Sequence, residues 1–519
     1  MTSAVAARPL DRLSLLRREL ARRGWWLAVV AGGLGALAFV IVSPSVGDVW
    51  AALARRSAAL HGVGLTYWFS WFGGGATPGN YSVITPFLSA LIGATTLGAI
   101  ATAAAAPLTY RLTRGFPHGV AATWVATIVC GLSLWNGRIP FAVGISFSLL
   151  TFIAVREQRR WLVVVATLLT VLASPVSGVF VALGLLGVAL YVRPHRTVSL
   201  VAIATAGVSL LSLALAFGSP GPEPFNARQA LAAAGALVAF LIARPPKPVT
   251  FVILLSLVAC PFLLWIPNGM GGNFNRFVWV YLPVAVVATT RTKLPRAAIA
   301  VSVAVIAASI GTAQDLAVAS QPNSSQAYYQ PLAHELSGIG SLSGYRLEVV
   351  PDGTHVAAYA LLDYAMLARG YETQADNALN PVLAAHRPLD PVTYKLWLDD
   401  NAVGYVAIAA KPLSTNSEYR LVSAGLTYLD PVWSDGTWSL YRVQQPVPIV
   451  APPARVVNAS QAKMEIDVPH AGVVPIRVRW SRFLTADPPV HGVKAPVTKD
   501  DNGWSTLTAP VPGHYVLHG

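Results

Sequence analysis

Charged residues make up only 12% of this 519-residue chain, against 54% hydrophobic ones. A soluble domain carries about 25% charge, so much of the sequence cannot be ordinary water-facing surface. Cysteine is nearly missing: Cys130 and Cys260 are the only two, both inside apolar segments. That excludes a disulfide framework and any Cys-based metal spacing. Acids are also few, 23 Asp and Glu against 37 Lys and Arg, for a formal net charge of +14. In a soluble protein such an excess suggests nucleic acid. Here the cations sit in short loops between apolar segments, as the positive-inside rule requires, so no nucleic-acid partner is expected. P-loop and dinucleotide fingerprints are missing too, because Gly73–Gly75 and Gly269–Gly272 adjoin membrane segments rather than a strand–helix unit.

What the chain does have is long apolar runs. They fall at about 25–42, 83–110, 118–135, 139–155, 161–173, 176–192, 198–217, 227–243, 249–266, 277–290 and 297–310. These are about 11 segments near the roughly 20 residues needed to span a bilayer. Arg8, Arg12, Arg17, Arg18, Arg22 and Arg23 precede the first run, with no small-residue cleavage pattern close behind. An uncleaved first span after a cytoplasmic segment, 1–24, is therefore expected. With that end inside, the cations around Arg111, Arg156, Arg193, Arg244 and Arg291 fall in cytoplasmic loops. Only Arg55, Arg56, Arg138, Arg228 and Arg276 fall outside. An odd number of spans then carries the C-terminal region to the outer face of the membrane.

The expected organisation is a transmembrane domain, 25–312, with a first outside loop at 43–93, then a polar linker, 313–330. An extracytoplasmic α/β domain, 331–446, and a β-rich, sandwich-like subdomain, 447–519, follow. Within the first loop, 83–92 reads as an interfacial helix that turns at Gly93 into the second span, and Ser174-Pro175 divides two spans. In the α/β region, 346–350, 404–408 and 437–443 read as strands, and 355–369, 392–401 and 418–424 as helices.

The chemistry-bearing groups collect at one membrane face. The stretch Trp68–Gly93 is aromatic, then glycine-rich, then the turn Pro78-Gly79-Asn80-Tyr81-Ser82. Ordered non-helical backbone of this kind is tolerated beside lipid only where protein or a water-filled cavity satisfies it. It reads as the wall of a site, with Asn80, Tyr81 and Ser82 shaping a pocket. Asp48 is the one carboxylate in the same outside loop, and could serve as general base toward an acceptor hydroxyl. Arg138 and Arg276 stand at helix starts on the side where cations are disfavoured, beside the turn amides Asn136 and Asn273. Guanidinium groups there suit a lipid-linked phosphate, or equally cap carbonyls and pair with acids. In the polar region His355 and Glu372 stand among aromatics, which suits sugar binding as well as an ordinary surface. A divalent metal is conceivable, but the spacing of His355, Glu372 and Asp376 matches no familiar ligand set, so no metal ligands are assigned.

A long first outside loop, an interfacial Asn80-Tyr81-Ser82-Val83-Ile84-Thr85-Pro86 segment, some 11 spans and a C-terminal mixed domain together resemble the GT-C class of membrane glycosyltransferases. The likeness is to the integral membrane proteins of that type in actinobacteria. It implies a GT-C-like fold, a polyprenyl-phosphate-linked sugar donor and transfer on the outer face to a glycan or glycolipid acceptor. It also implies a catalytic carboxylate in the first outside loop, where Asp48 matches by position, although no paired Asp motif accompanies it. The competing readings are a transporter or flippase of an envelope precursor, and a non-catalytic assembly protein of the same shape. Span interiors almost free of charge favour the enzyme over the transporter.

Overall fold

A computed structural model describes residues 9–219, 221–383 and 388–519. Of the N-terminal cations, Arg8 lies outside the described residues. The chain divides into two compact units, one formed by 1–44, 95–212 and 225–313, the other by 45–94, 213–224 and 314–519. Charge divides with them. The first unit carries 21 Lys and Arg against three acids, Asp11, Glu19 and Glu157, while the second carries 16 against 20.

The first unit is helical. Among the described residues, five helices are long and apolar enough to cross a membrane: Gly24–Val42, Ile139–Arg156, Arg193–Phe217, Lys247–Trp265 and Leu294–Ala319. A sixth results if Thr85–Ile92 and Ala94–Thr113, broken at Gly93 with φ +88°, count as one span. Four further apolar helices are shorter: Gly119–Trp135, Arg160–Ala173, Pro175–Tyr191 and Ala227–Ile242. Local chemistry sets these lengths. Ser174 ends one helix and caps the next, accepting from Ser177 N ahead of Pro175. In the last short apolar run, Pro283 cannot donate to the preceding turn, and Phe277–Tyr281 widens into a π-helical turn before Leu282–Thr289.

Helices in apolar surroundings gain nothing from hydrophobic exclusion and depend on close backbone approach through small residues. Gly144 is such a contact: a methyl there would come within 2.5 Å of Ser177 Oγ and 2.7 Å of Ser174 Cβ.

The second unit is mixed. Its α/β part holds β1 (Arg346–Val349), β2 (Val403–Ala409), β3 (Leu429–Ser434) and β4 (Trp438–Val443), in the order β1-β2-β4-β3. β1 and β2 run parallel and the other pairs antiparallel. β2 is buried along its whole length, as its unbroken apolar run requires of a central strand. Helices Pro391–Asp400 and Ser417–Ser423 begin at Asp390 and Asn416, whose side chains accept from the first-turn amides. The C-terminal part holds β5 (Arg455–Ala459), β6 (Lys463–Val468), β7 (Gly472–Arg479), β8 (Thr485–Asp487), β9 (Val497–Lys499), β10 (Trp504–Ala509) and β11 (Gly513–His518). They form two antiparallel sheets, β7-β10-β9 and β5-β6-β11-β8, over a common core including Ile466, Ile476, Leu507 and Tyr515.

Three expectations change here. Residues 43–93 are no simple loop, because Gly47–Leu60 is a helix with Asp48 in its first turn, where the helix dipole favours an acid. The segment 355–369 is not one helix. Only Ala357–Ala360 is helical, and 366–368 pairs beside β1, with Leu347 N donating to Met366 O and Ala368 N to Leu347 O, each at 2.9 Å. Sheet pairing outcompeted the local helical pattern. The polar stretch 314–330 is packed rather than free: Asn323 is buried and donates to Lys411 O at 3.0 Å, and buried Tyr329 donates to Asp352 Oδ2 at 3.0 Å.

Gly144→Val should lower the unfolding temperature of the detergent-solubilised chain measurably, since overpacking a close contact costs about 1–3 kcal/mol. Gly144→Ala should lie between the two.

Candidate functional site

In the second unit an aromatic wedge, Tyr67 to Phe72, is buried throughout. Trp71 Nε1 donates to Ala358 O at 3.0 Å, Trp68 Nε1 to Gln461 Oε1 at 3.3 Å, and Leu367 N to Ser70 O at 2.9 Å. The wedge turns through Gly73 and Gly74, both with positive φ (+61° and +87°), which a side chain would strain. Its effect is to hold the extended segment around Leu367, and Gly370 after it, between β1 and the indole of Trp71.

Against that segment lies the helix Gly47–Leu60. Asp48 and Arg55 are seven residues apart, two turns, and so share one face. Each meets one of two consecutive residues. Tyr371 Oη donates to Asp48 Oδ1 at 2.7 Å, and Arg55 Nη2 pairs with Glu372 Oε1 at 3.2 Å. The His355 ring lies 3.8 Å from the Tyr371 ring, centroid to centroid. Arg55 also stands 3.9 Å from the centroid of Tyr81 and 5.4 Å from that of Trp71, close enough for cation–π attraction.

Beside these groups is a cleft of about 170 Å³, lined by Asp352, Thr354, His355, Tyr371, Glu372 and Asp376 among others. It is smaller than the roughly 300 Å³ at which drug-sized sites begin, and suits one small polar group or a single sugar ring. Asp352 is tied down, accepting from Thr354 N at 2.9 Å, Thr354 Oγ1 at 2.8 Å and Tyr329 Oη at 3.0 Å. Beneath the cleft, Arg369 binds Asp376 through both Nε (2.9 Å) and Nη2 (2.5 Å), and its Nη1 reaches Glu418 (3.0 Å) and Glu348 (3.4 Å).

One guanidinium cannot neutralise three carboxylates, of which Glu348 and Glu418 are buried. Burial, with the charge of Glu418 next, pushes the Glu348 carboxyl well above its usual range. Burial also raises Glu418, against the pull of Arg369, and Glu372, against the pull of Arg55. Desolvation pushes the His355 pKa below its ordinary value, opposed by Asp48, Asp352 and Asp376, so the imidazole is neutral at pH 7. The residue is nonetheless exposed to solvent. The arrangement offers a neutral imidazole, a phenol and carboxyl groups of differing basicity around one small space. Among the described residues, no three His, Cys, Asp or Glu side chains gather as metal ligands.

The site residues expected from sequence divide between the units. Asp48, Asn80, Tyr81, Ser82, His355 and Glu372 belong to the second, Asn136, Arg138, Asn273 and Arg276 to the first. Asp48 and His355 both meet Tyr371, while Glu372 and Tyr81 both meet Arg55. Asn80 ends the turn Pro78–Asn80. Ser82 is a scaffold element: its buried hydroxyl accepts from Thr85 N (3.2 Å) and Thr85 Oγ1 (2.6 Å) at the start of Thr85–Ile92. In the first unit Arg138 directly precedes the helix Ile139–Arg156, and Arg276 lies 5.5 Å from the centroid of Phe141 in that helix's first turn. Asn136 is buried just upstream and Asn273 stands on the turn leading to Arg276. Both arginines therefore stand by one helix N-terminus, a place that favours anions.

No protein-family model matches the chain. No curated protein matches it either.

Sequence reasoning missed Arg55, which read as a stray loop cation, and Tyr371. The available signal was the Asp48/Arg55 spacing in an alanine-rich run, which indicates one helical face once a helix is recognised.

Linkage gives a sign for the acid cluster. A carboxyl whose folded pKa is raised stabilises the fold fully below its unfolded pKa and loses that contribution as pH rises through the folded pKa. Glu348→Gln should therefore be more stable than the parent at pH 8, with the advantage gone near pH 4. Thermal melts of both proteins at the two pH values check this, and the His355 contribution, common to both, cancels.

Proposed function

We propose that the chain is a GT-C-like membrane glycosyltransferase that moves a sugar from a polyprenyl-phosphate donor to a cell-envelope glycan or glycolipid. The observation that carries the reading is the setting of Asp48. It is the only carboxylate in 43–93, and it is held at 2.7 Å by Tyr371, whose ring lines a sugar-sized cleft with His355 and Glu372. In this reading the shorter apolar helices also cross, giving about 11 spans, with the N-terminus cytoplasmic and the C-terminal domain extracytoplasmic.

The chemistry asked of the residues is modest. Asp48 takes the proton of an acceptor hydroxyl as its oxygen bonds to the anomeric carbon, while the bond from that carbon to the phosphate oxygen breaks. The leaving group is polyprenyl phosphate. Arg138 and Arg276, in the first unit, stand beside a helix N-terminus, a place that favours anions such as a phosphate. Tyr371 orients the carboxylate, and the polar lining of the cleft suits the hydroxyls of a sugar.

General-base catalysis is worth about 10²–10⁴-fold. Asp48→Asn should accordingly slow sugar transfer from a polyprenyl-phosphate donor at least about 100-fold while leaving the melting temperature near that of the parent. Transfer at the parental rate by Asp48→Asn would remove Asp48 as the base. Loss of the gene with no change in envelope glycans by mass spectrometry would remove the reaction itself.

A further inference from the structure

The first unit holds a second, half-open cavity, of about 750 Å³, that the transfer reading does not use. Its walls come from six helices and are almost wholly apolar, with Cys130, Ile145, Leu149, Val252, Phe277 and Ala285 among them. At one end the lining changes character. Phe116, Arg156, His195, Pro246 and Arg291 belong to the ends or connections of the helices, and the interhelical turns they come from carry most of the unit's cations. Among the described residues no carboxylate lines the cavity. The nearest acid in sequence, Glu157, is already paired with Arg111 at 2.9 Å and Arg159 at 3.4 Å.

Two details indicate what such a space would hold. From Ile145 to Arg156 the wall helix runs eleven residues, about 16 Å at 1.5 Å per residue, or roughly half of a ~30 Å hydrocarbon core. That is the depth of one leaflet. At the cationic end, buried His195 Nδ1 has no hydrogen-bond partner among the described residues, and Arg291 is exposed and forms no ion pair among them. Arg156 is anchored by donating to Leu112 O and Arg114 O, which fixes its charge at the rim. An apolar shaft one leaflet deep with a rim of cations fits a single hydrocarbon chain below an anionic headgroup. A neutral ligand would leave the rim uncompensated, and a free anion would leave the shaft empty.

We infer that this cavity binds one anionic lipid, with one of its acyl chains among Leu149, Phe277 and Ala285 and its headgroup at Arg156, His195 and Arg291. The inference rests on the cavity and is independent of the transfer reading.

The test is native mass spectrometry of the delipidated full chain, titrated with phosphatidylglycerol, with phosphatidylcholine of the same chains, and with inorganic phosphate. One phosphatidylglycerol should be retained per chain in preference to phosphatidylcholine. Arg291→Gln should weaken that retention about fivefold, the worth of one cation near an anionic headgroup. Ala285→Trp, which fills the shaft, should abolish it, and inorganic phosphate should neither bind nor displace the lipid. Equal retention of both lipids, unchanged retention in Ala285→Trp, or displacement by phosphate alone would overturn the inference. Should Ala285→Trp not fold, Arg291→Gln combined with His195→Ala decides, both changes being at the rim: an undiminished preference for phosphatidylglycerol overturns it equally.

Discussion

The cleft depends on the packing of one indole against one glycine. Trp71 is fully buried, and a methyl on Gly370 would stand 2.5 Å from its ring, so only glycine lets the chain pass. That passage places Arg369 on one side of the contact and Tyr371 and Glu372 on the other. Arg369 then turns into the acid cluster, while Tyr371 and Glu372 face the helix Gly47–Leu60. The same indole lies under Arg55. A single close approach thus sets the spacing between the carboxyl groups below the cleft and the Asp48–Tyr371 pair beside it.

Electrostatics explains why this spacing matters. Glu348, Glu418 and Asp376 share the one guanidinium of Arg369, and Tyr394 Oη donates to Glu418 at 2.9 Å. The cluster therefore retains a proton where solvated carboxyls would not, and its acidity responds to charge in the cleft above. A buried ionic cluster is weak evidence for stability, because desolvation offsets much of the Coulombic gain. Groups of unlike basicity around one small space are a recurring feature of reactive sites. Structural ion-pair networks perturb pKa values as well, so the functional weight rests on Asp48 and Tyr371, whose arrangement is geometric.

Much of this architecture could be read from local pattern. The apolar run at 403–409 and the alternating run at 438–443 are strands, 391–400 is a helix opened by Asp390, and the break at Gly93 falls where proline and glycine chemistry requires. What escaped was set by distant partners. The helix Gly47–Leu60 is rich in alanine, whose weak hydropathy contrast hides an amphipathic face. Segment 355–369 has helical periodicity, yet Leu367 is taken by Leu347 and Ser70, far away in sequence. Residue types at the candidate site were legible, since Asp48, His355 and Glu372 stood out as isolated polar groups. Their partners were not: Asp48 meets a tyrosine 323 positions downstream, and no local rule predicts that pairing.

Charge supplies the remaining constraint, and it acts differently on the two units. The second holds 16 Lys and Arg against 20 acids, close enough for internal pairing, and its buried acids find Arg55 and Arg369. The first holds 21 against three, so its own carboxylates can neutralise at most three of its positive charges. Glu157, with Arg111 and Arg159, already uses one of the three. The remaining positive charge must be compensated by something other than that unit's own side chains. In a membrane protein the anions at hand are lipid headgroups, each worth about 1 kcal/mol per nearby cation. Cations clustered in the interhelical turns, almost without acids among them, therefore leave the helical unit with positive charge that an anionic headgroup is suited to meet.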